Sequence, residues 1–152
     1  MIIMAVDLGK ARTGIAICDK LEMLSSPLTQ ISEYNRERLL EKISNLAKEK
    51  KAELIVVGLP KNMDGSEGDS AKGAREFAEK LAEMSGINVD MQDERGTTIT
   101  AHNYLNFTDT RGKKRKNVVD TVAATIILED YLNKRKNLAS VWPDVYHKEY
   151  KE

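Results

Sequence analysis

The chain has one cysteine, Cys18, in 152 residues, so no internal disulfide can form, and neither cysteine clusters nor paired histidines offer a structural metal site. Cys18 ends the apolar run Gly14-Ile15-Ala16-Ile17-Cys18, where a thiol reads as a small buried hydrophobe. No apolar stretch approaches the ~20 residues that a bilayer-spanning helix needs. A reducing, cytoplasmic setting is therefore expected. Net charge is absent too: 24 Lys and Arg balance 24 Asp and Glu, so a nucleic-acid partner, if there is one, must be read from local segregation of charge. His102 and His147 lack metal-ligand spacing to any partner and are assigned to the surface.

What the chain does have is a sequence of short apolar strands and amphipathic helices. Ile2-Ile3-Met4-Ala5-Val6 is apolar at every position, as a strand covered on both faces requires, and Leu8 to Gly14 supplies a glycine-bearing turn into the second run. A third, shorter strand is expected at Pro27 to Ser32. From Asn35, Leu39, Leu40, Ile43, Leu46 and Ala47 recur at helical spacing, and Glu53 to Val57 follows as a buried strand. Gly58 to Ser70 reads as a loop, Ala71 to Met84 as a helix, and Asn88 to Gln92 as a half-covered strand with Val89 and Met91 on one side and Asp90 and Gln92 on the other. Thr97 to Phe107 suggests a short helix and Asn106 to Lys116 a basic loop, followed by a long helix capped by Asn117. The order predicts an α/β fold with a mixed five-stranded sheet, three antiparallel strands first, and helices on both faces. Residues 1–136 form the expected domain. Residues 137–152, with Trp142, Tyr146 and Tyr150 recurring every fourth position, form a tail expected to pack on the body or on a second copy.

Three acids lie where elements end or begin: Asp7 closing the first strand, Glu94 just past the half-covered strand, and Asp120 near the start of the last helix. Each has a plain alternative. Asp7 can bond the turn at Gly9 or belong to a phosphate-binding hairpin of the sugar-kinase type, and the other two can stabilise helix N-termini. Small residues at Ala123 and Ala124 would let the last helix approach the central strands and bring Asp120 beside Asp7. Convergence of three carboxylates would suit Mg²⁺ or Mn²⁺ and phosphodiester hydrolysis. The run Arg111-Gly112-Lys113-Lys114-Arg115-Lys116 is either a solvated loop or a phosphate clamp, with Lys10 and Arg12 adding positive charge near Asp7. A non-catalytic nucleic-acid-binding module would use the same cations and keep the acids as structural groups.

Four stretches in order carry a resemblance. They are Asp7-Leu8-Gly9 with Arg12 and Gly14; Val57-Gly58-Leu59-Pro60 with Asn62-Met63-Asp64-Gly65-Ser66; Asp93-Glu94-Arg95 with Thr97-Thr98; and Lys116 to Asp120 with Ala123-Ala124 and Leu128. Together they resemble the YqgF/RuvX family of ribonuclease H-like Holliday-junction resolvases, whose bacterial members are also described as processing 16S ribosomal RNA precursors. The resemblance implies a ribonuclease H-like fold, Mg²⁺ or Mn²⁺, and Asp7, Glu94 and Asp120 as catalytic and metal-binding acids. It also implies RNA precursor or branched DNA as partner, with Lys10, Arg12, Arg95, Arg111, Lys113, Lys114, Arg115 and Lys116 as the cations that meet it, in a monomer or homodimer. Gly96 departs from the family pattern, which more often has an apolar residue there. Where the wider superfamily often uses four acids, Ala123 and Ala124 leave no evident fourth beside Asp120.

Overall fold

β1 is apolar on both faces because it lies at the centre of the molecule. The computed structural model describes residues 1–62, 64–94 and 112–141, with side chains in the last stretch described for 121–138. In chain order these residues form β1 Ile3–Asp7, β2 Arg12–Cys18, β3 Ser25–Ser32, α1 Arg36–Glu49, β4 Leu54–Leu59, α2 Asp69–Ser85, β5 Asn88–Asp93 and α3 Gly112–Val141. The sheet order is β3-β2-β1-β4-β5. β1, β2 and β3 pair antiparallel, whereas β1, β4 and β5 pair parallel, which is the mixed sheet the sequence predicts.

Alternation along each strand assigns its side chains to one of two cores. Met4, Val6, Ile55 and Val57 pack with Leu39, Ile43, Phe77 and Leu81 of α1 and α2. Ile3, Ala5, Ala16 and Val56 pack on the other face against Ala124, Ile127, Leu128 and Tyr131 of α3. Each fully buried Ile or Leu contributes about 1.5–3 kcal/mol. Ala123 and Ala124 are buried, so small side chains do lie where α3 meets the sheet. β5 shows the half-covered pattern: Val89 and Met91 join the first core, while the Tyr131 hydroxyl donates to Asp90 Oδ2 at 2.7 Å on the α3 face.

Local chemistry starts and stops the helices. Asn35 caps α1, its Oδ1 accepting from Arg38 N–H at 3.0 Å. α2 ends at Gly86, whose φ of 71° is the left-handed conformation that glycine adopts without strain. In the β1–β2 turn, a Cβ on Gly9 would fall on the Arg12 carbonyl oxygen, and Arg36 Nη1 donates to the Gly9 carbonyl at 2.9 Å. That bond ties the turn to the start of α1. Among the described residues no helix is long and apolar enough to cross a membrane.

Several boundaries differ from expectation, among them β2, which begins at Arg12 inside the expected turn, and α2, which begins at Asp69 rather than Ala71. β4 continues through Gly58 and Leu59, which the sequence reading put in the loop, because backbone pairing to Gln92 and Asp93 carries on past the β-branched run. β3 begins at Ser25 rather than Pro27, with the proline opposite Ala16 beside a register shift, on an edge strand where its missing N–H costs no ladder bond. α3 begins at Gly112, not Asn117. Lysine and arginine are good helix formers, so residues 112–116 are helical and Asp120 lies two turns inside the helix. The short helix at Thr97 to Phe107 and the aromatic tail from Trp142 lie outside the described residues.

One buried ion pair was not legible beforehand. Arg135 Nε of α3 meets Glu22 Oε1 at 2.7 Å, with both residues under a tenth exposed, and Glu22 is held at φ 56° in the β2–β3 hairpin. Glu22→Leu is expected to lower the unfolding free energy by about 3 kcal/mol, read from denaturant midpoints, because Arg135 loses the carboxylate that offsets its desolvation. An unchanged midpoint would show the pair to be energetically neutral.

Candidate active site

Asp7 ends β1 on the face shared with Ile3 and Ala5, the face covered by α3. Its sheet neighbours have no side chains. Gly14 of β2 is its direct antiparallel partner, and on the other side the β1–β4 register, with Val6 beside Val57, brings Gly58 alongside. Glycine inside a strand marks close approach by another group, and here that group is identifiable.

Glu94 follows β5, its N–H donating to the Leu59 carbonyl at 3.1 Å. Its side chain lies over Gly58. A Cβ added there would stand 2.5 Å from Glu94 Oε2 and 2.8 Å from Ile127 Cδ1. Gly58 is therefore a bare floor with Ile127 of α3 opposite, and across it Glu94 and Asp7 are joined by a side-chain hydrogen bond. Two ionised carboxylates would repel at this separation, so the pair holds a proton. Burial first, then the Asp7 charge and its hydrogen bond, then Asp93, push the Glu94 carboxyl up to about 8.

The structure thus brings together two of the three acids that the sequence singles out. Asp120 belongs to α3, one turn before Ala123 and Ala124, and its side chain lies outside the described residues. Among the described residues no group of three or more His, Cys, Asp or Glu side chains gathers at metal-binding separation. Of the cations, Lys10 is exposed in the β1–β2 turn, and Arg12 opens β2 half-buried and already partnered. Arg95 and Arg111 lie outside the described residues. Lys113, Lys114, Arg115 and Lys116 occupy the first turns of α3, with side chains likewise outside them.

Sequence reasoning missed Gly58 as a site residue by placing it in a loop. The signal was available, since Leu59 continues the apolar run beyond the glycine. The loop that follows is internally braced: Ser66 Oγ donates to Asp64 Oδ1 at 2.6 Å, Asn62 Nδ2 donates to Ser66 Oγ at 2.9 Å, and Arg75 of α2 holds both Glu67 oxygens at 2.7 and 2.9 Å.

The family model RuvX, described as Holliday junction resolvase, matches residues 1–134. The chain belongs to this family. A Clostridium botulinum relative named as a candidate pre-16S rRNA nuclease is 41% identical over 134 residues, covering 88% of this chain and 98% of its own. A Halothermothrix orenii relative of the same name is 43% identical over 138 residues, covering 91% and 99%. Among solved structures, RuvC of Thermus thermophilus in complex with a Holliday junction aligns with a TM-score of 0.56 at 11% identity, over 88% of this chain and 96% of that one. The fowlpox virus Holliday junction resolvase aligns at 0.52 with 14% identity, over 88% and 99%. At such identities the likeness is one of fold, and that fold is ribonuclease H-like.

Two outcomes follow from the geometry. Gly58→Ala is expected to displace the Glu94 carboxylate or Ile127 and cost about 1–3 kcal/mol, read by thermal unfolding; a neutral effect would mean the floor is not tight. Glu94 binds its proton more tightly folded than unfolded, so stability of the metal-free protein should be full below about pH 4.5 and fall as pH rises towards 8. Glu94→Gln should flatten that slope, whereas an unaltered slope would assign it to other groups.

Proposed function

We propose that this chain is a metal-dependent endonuclease that hydrolyses phosphodiester bonds in structured nucleic acid, acting in maturation of precursor 16S ribosomal RNA. The observation that carries the reading is the Asp7–Glu94 pair: two carboxylates held together over a glycine floor, at the carboxyl end of a sheet. Carboxylates forced to share a proton supply the hard oxygen donors that Mg²⁺ and Mn²⁺ prefer, so the donor set suits the ion that the fold family uses. Asp7, Glu94 and Asp120 would hold it. When bound, the ion supplies an activated water and stabilises the leaving oxygen.

The chain's own contribution is positional. β1 and β5 fix two acids from opposite sides of β4, and α3, the helix that includes Asp120, packs on the Asp7 face with Ile127 close to Gly58. Lys10 and Arg12, with Arg95, Arg111 and the α3 cations Lys113, Lys114, Arg115 and Lys116, would hold the phosphate backbone. Such contacts position a substrate without reading its bases.

The RNA role is favoured over branched DNA because the relatives at 41% and 43% identity are aligned over nearly their whole length and carry the rRNA name. The resolvase reading retains support from the family model's description and from the shared fold of the junction-cleaving neighbours.

Purified protein is expected to cleave precursor 16S rRNA or a four-way DNA junction with Mg²⁺ or Mn²⁺, and Asp7→Asn and Asp120→Asn should each reduce cleavage to background. Asp7→Asn should fold about as stably as the parent, since the amide oxygen can still accept from the protonated Glu94 carboxyl. Undiminished cleavage in both variants would overturn the assignment.

A further inference from the structure

A groove of about 560 Å³ lies on the opposite face of the sheet from the carboxylate pair, where the β1–β2 turn, the end of β4 and the first turns of α1 and α2 converge. Its wall adjoins the candidate site through the backbone, although neither acid lines it. Leu8 and Gly9, which directly follow Asp7, form part of its wall, and so does Gly58, whose other side carries Glu94. Leu40 and Phe77 provide an apolar floor. Arg36 braces the wall: besides its bond to the Gly9 carbonyl, its guanidinium lies 5.9 Å from the centre of the Phe77 ring.

Two features of the lining indicate what it receives. Its charges balance, with Lys10, Arg36 and Lys80 facing Glu37, Asp69 and Glu76, and among the described residues no ion pair joins any two of them. A phosphate path needs an excess of cations, whereas a nucleobase edge presents donors and acceptors together, which a mixed set of carboxylates and cations can meet. The second feature is Gly73. It sits in the second turn of α2, where glycine weakens a helix relative to alanine, yet a Cβ there would meet nothing within 4 Å. Helix packing does not require this glycine; an incoming group at the groove wall would.

We propose that the groove is a base-recognition subsite, receiving an unpaired nucleobase of the substrate strand next to the phosphodiester that would be cut at the Asp7–Glu94 site. The inference rests on the nuclease reading and adds sequence preference to it. Phosphate contacts place the strand, and one base inserted between α1 and α2 selects where it is cut.

Gly73→Leu tests this, since leucine favours the helix and projects its side chain into the groove. Its melting temperature should equal or exceed the parent's. In EDTA, its affinity for short single-stranded oligomers of A, C and U should fall roughly tenfold for the preferred base and little for the others. With metal, its cut positions on precursor rRNA should spread. Asp69→Asn and Glu76→Gln should change the order of preference among the three oligomers with the salt dependence kept. Equal binding by Gly73→Leu and parent would overturn the proposal. So would acid-to-amide variants that tighten every oligomer alike, which would make the groove a phosphate path. Absence of cleavage by the parent would instead count against the nuclease reading, while the EDTA binding measurements would still decide the groove.

Discussion

The candidate site depends on one constraint, the absence of a side chain at position 58. β4 lies between β1 and β5, so any residue there with a Cβ on the α3 face would separate Asp7 from Glu94. Glycine lets Glu94 fold over the strand and reach the acid on the far side. Gly14 of β2, the direct cross-strand partner of Asp7, likewise has no side chain to stand beside the acid. The rest of the sheet supports this gap. Fully apolar β1 and β4 hold the strands in register from both faces, and α3 closes the remaining side with Ile127.

Electrostatics follow from that packing. A carboxylate on a solvated edge would be one of many surface charges, but one largely buried and beside Asp7 must keep a proton or find a cation. The same burial makes the pair costly unless a proton or a counter-charge stands between its oxygens. Tyr131 repeats the theme lower on the α3 face, where burial and its bond to Asp90 raise its hydroxyl and hold it as a donor.

Much of this was legible in the sequence, and the failures have physical reasons. Alternation at Val89 and Met91, full apolarity at Ile3 to Val6 and helical spacing at Leu39 to Ala47 gave the sheet, its coverage and the crossover correctly, because burial imposes those patterns. The end of β4 was missed because Gly58 has no side chain and so contributes nothing to a hydrophobic period, although the ladder runs through it. The start of α3 was misplaced because a basic run suits a solvent-facing helix turn as well as a loop. Glu22 and Arg135 could not be paired from sequence, since nothing local links a hairpin residue to the last helix.

The two acids come from strands far apart in the chain. Asp7 closes β1 and Glu94 follows β5, so their meeting requires β4 to be docked between them. A partly synthesised or partly unfolded chain holds these carboxylates apart and solvated, with no paired site. Any hydrolytic capacity of this pair is thereby confined to the finished molecule, a safeguard that topology provides without an inhibitor or a propeptide.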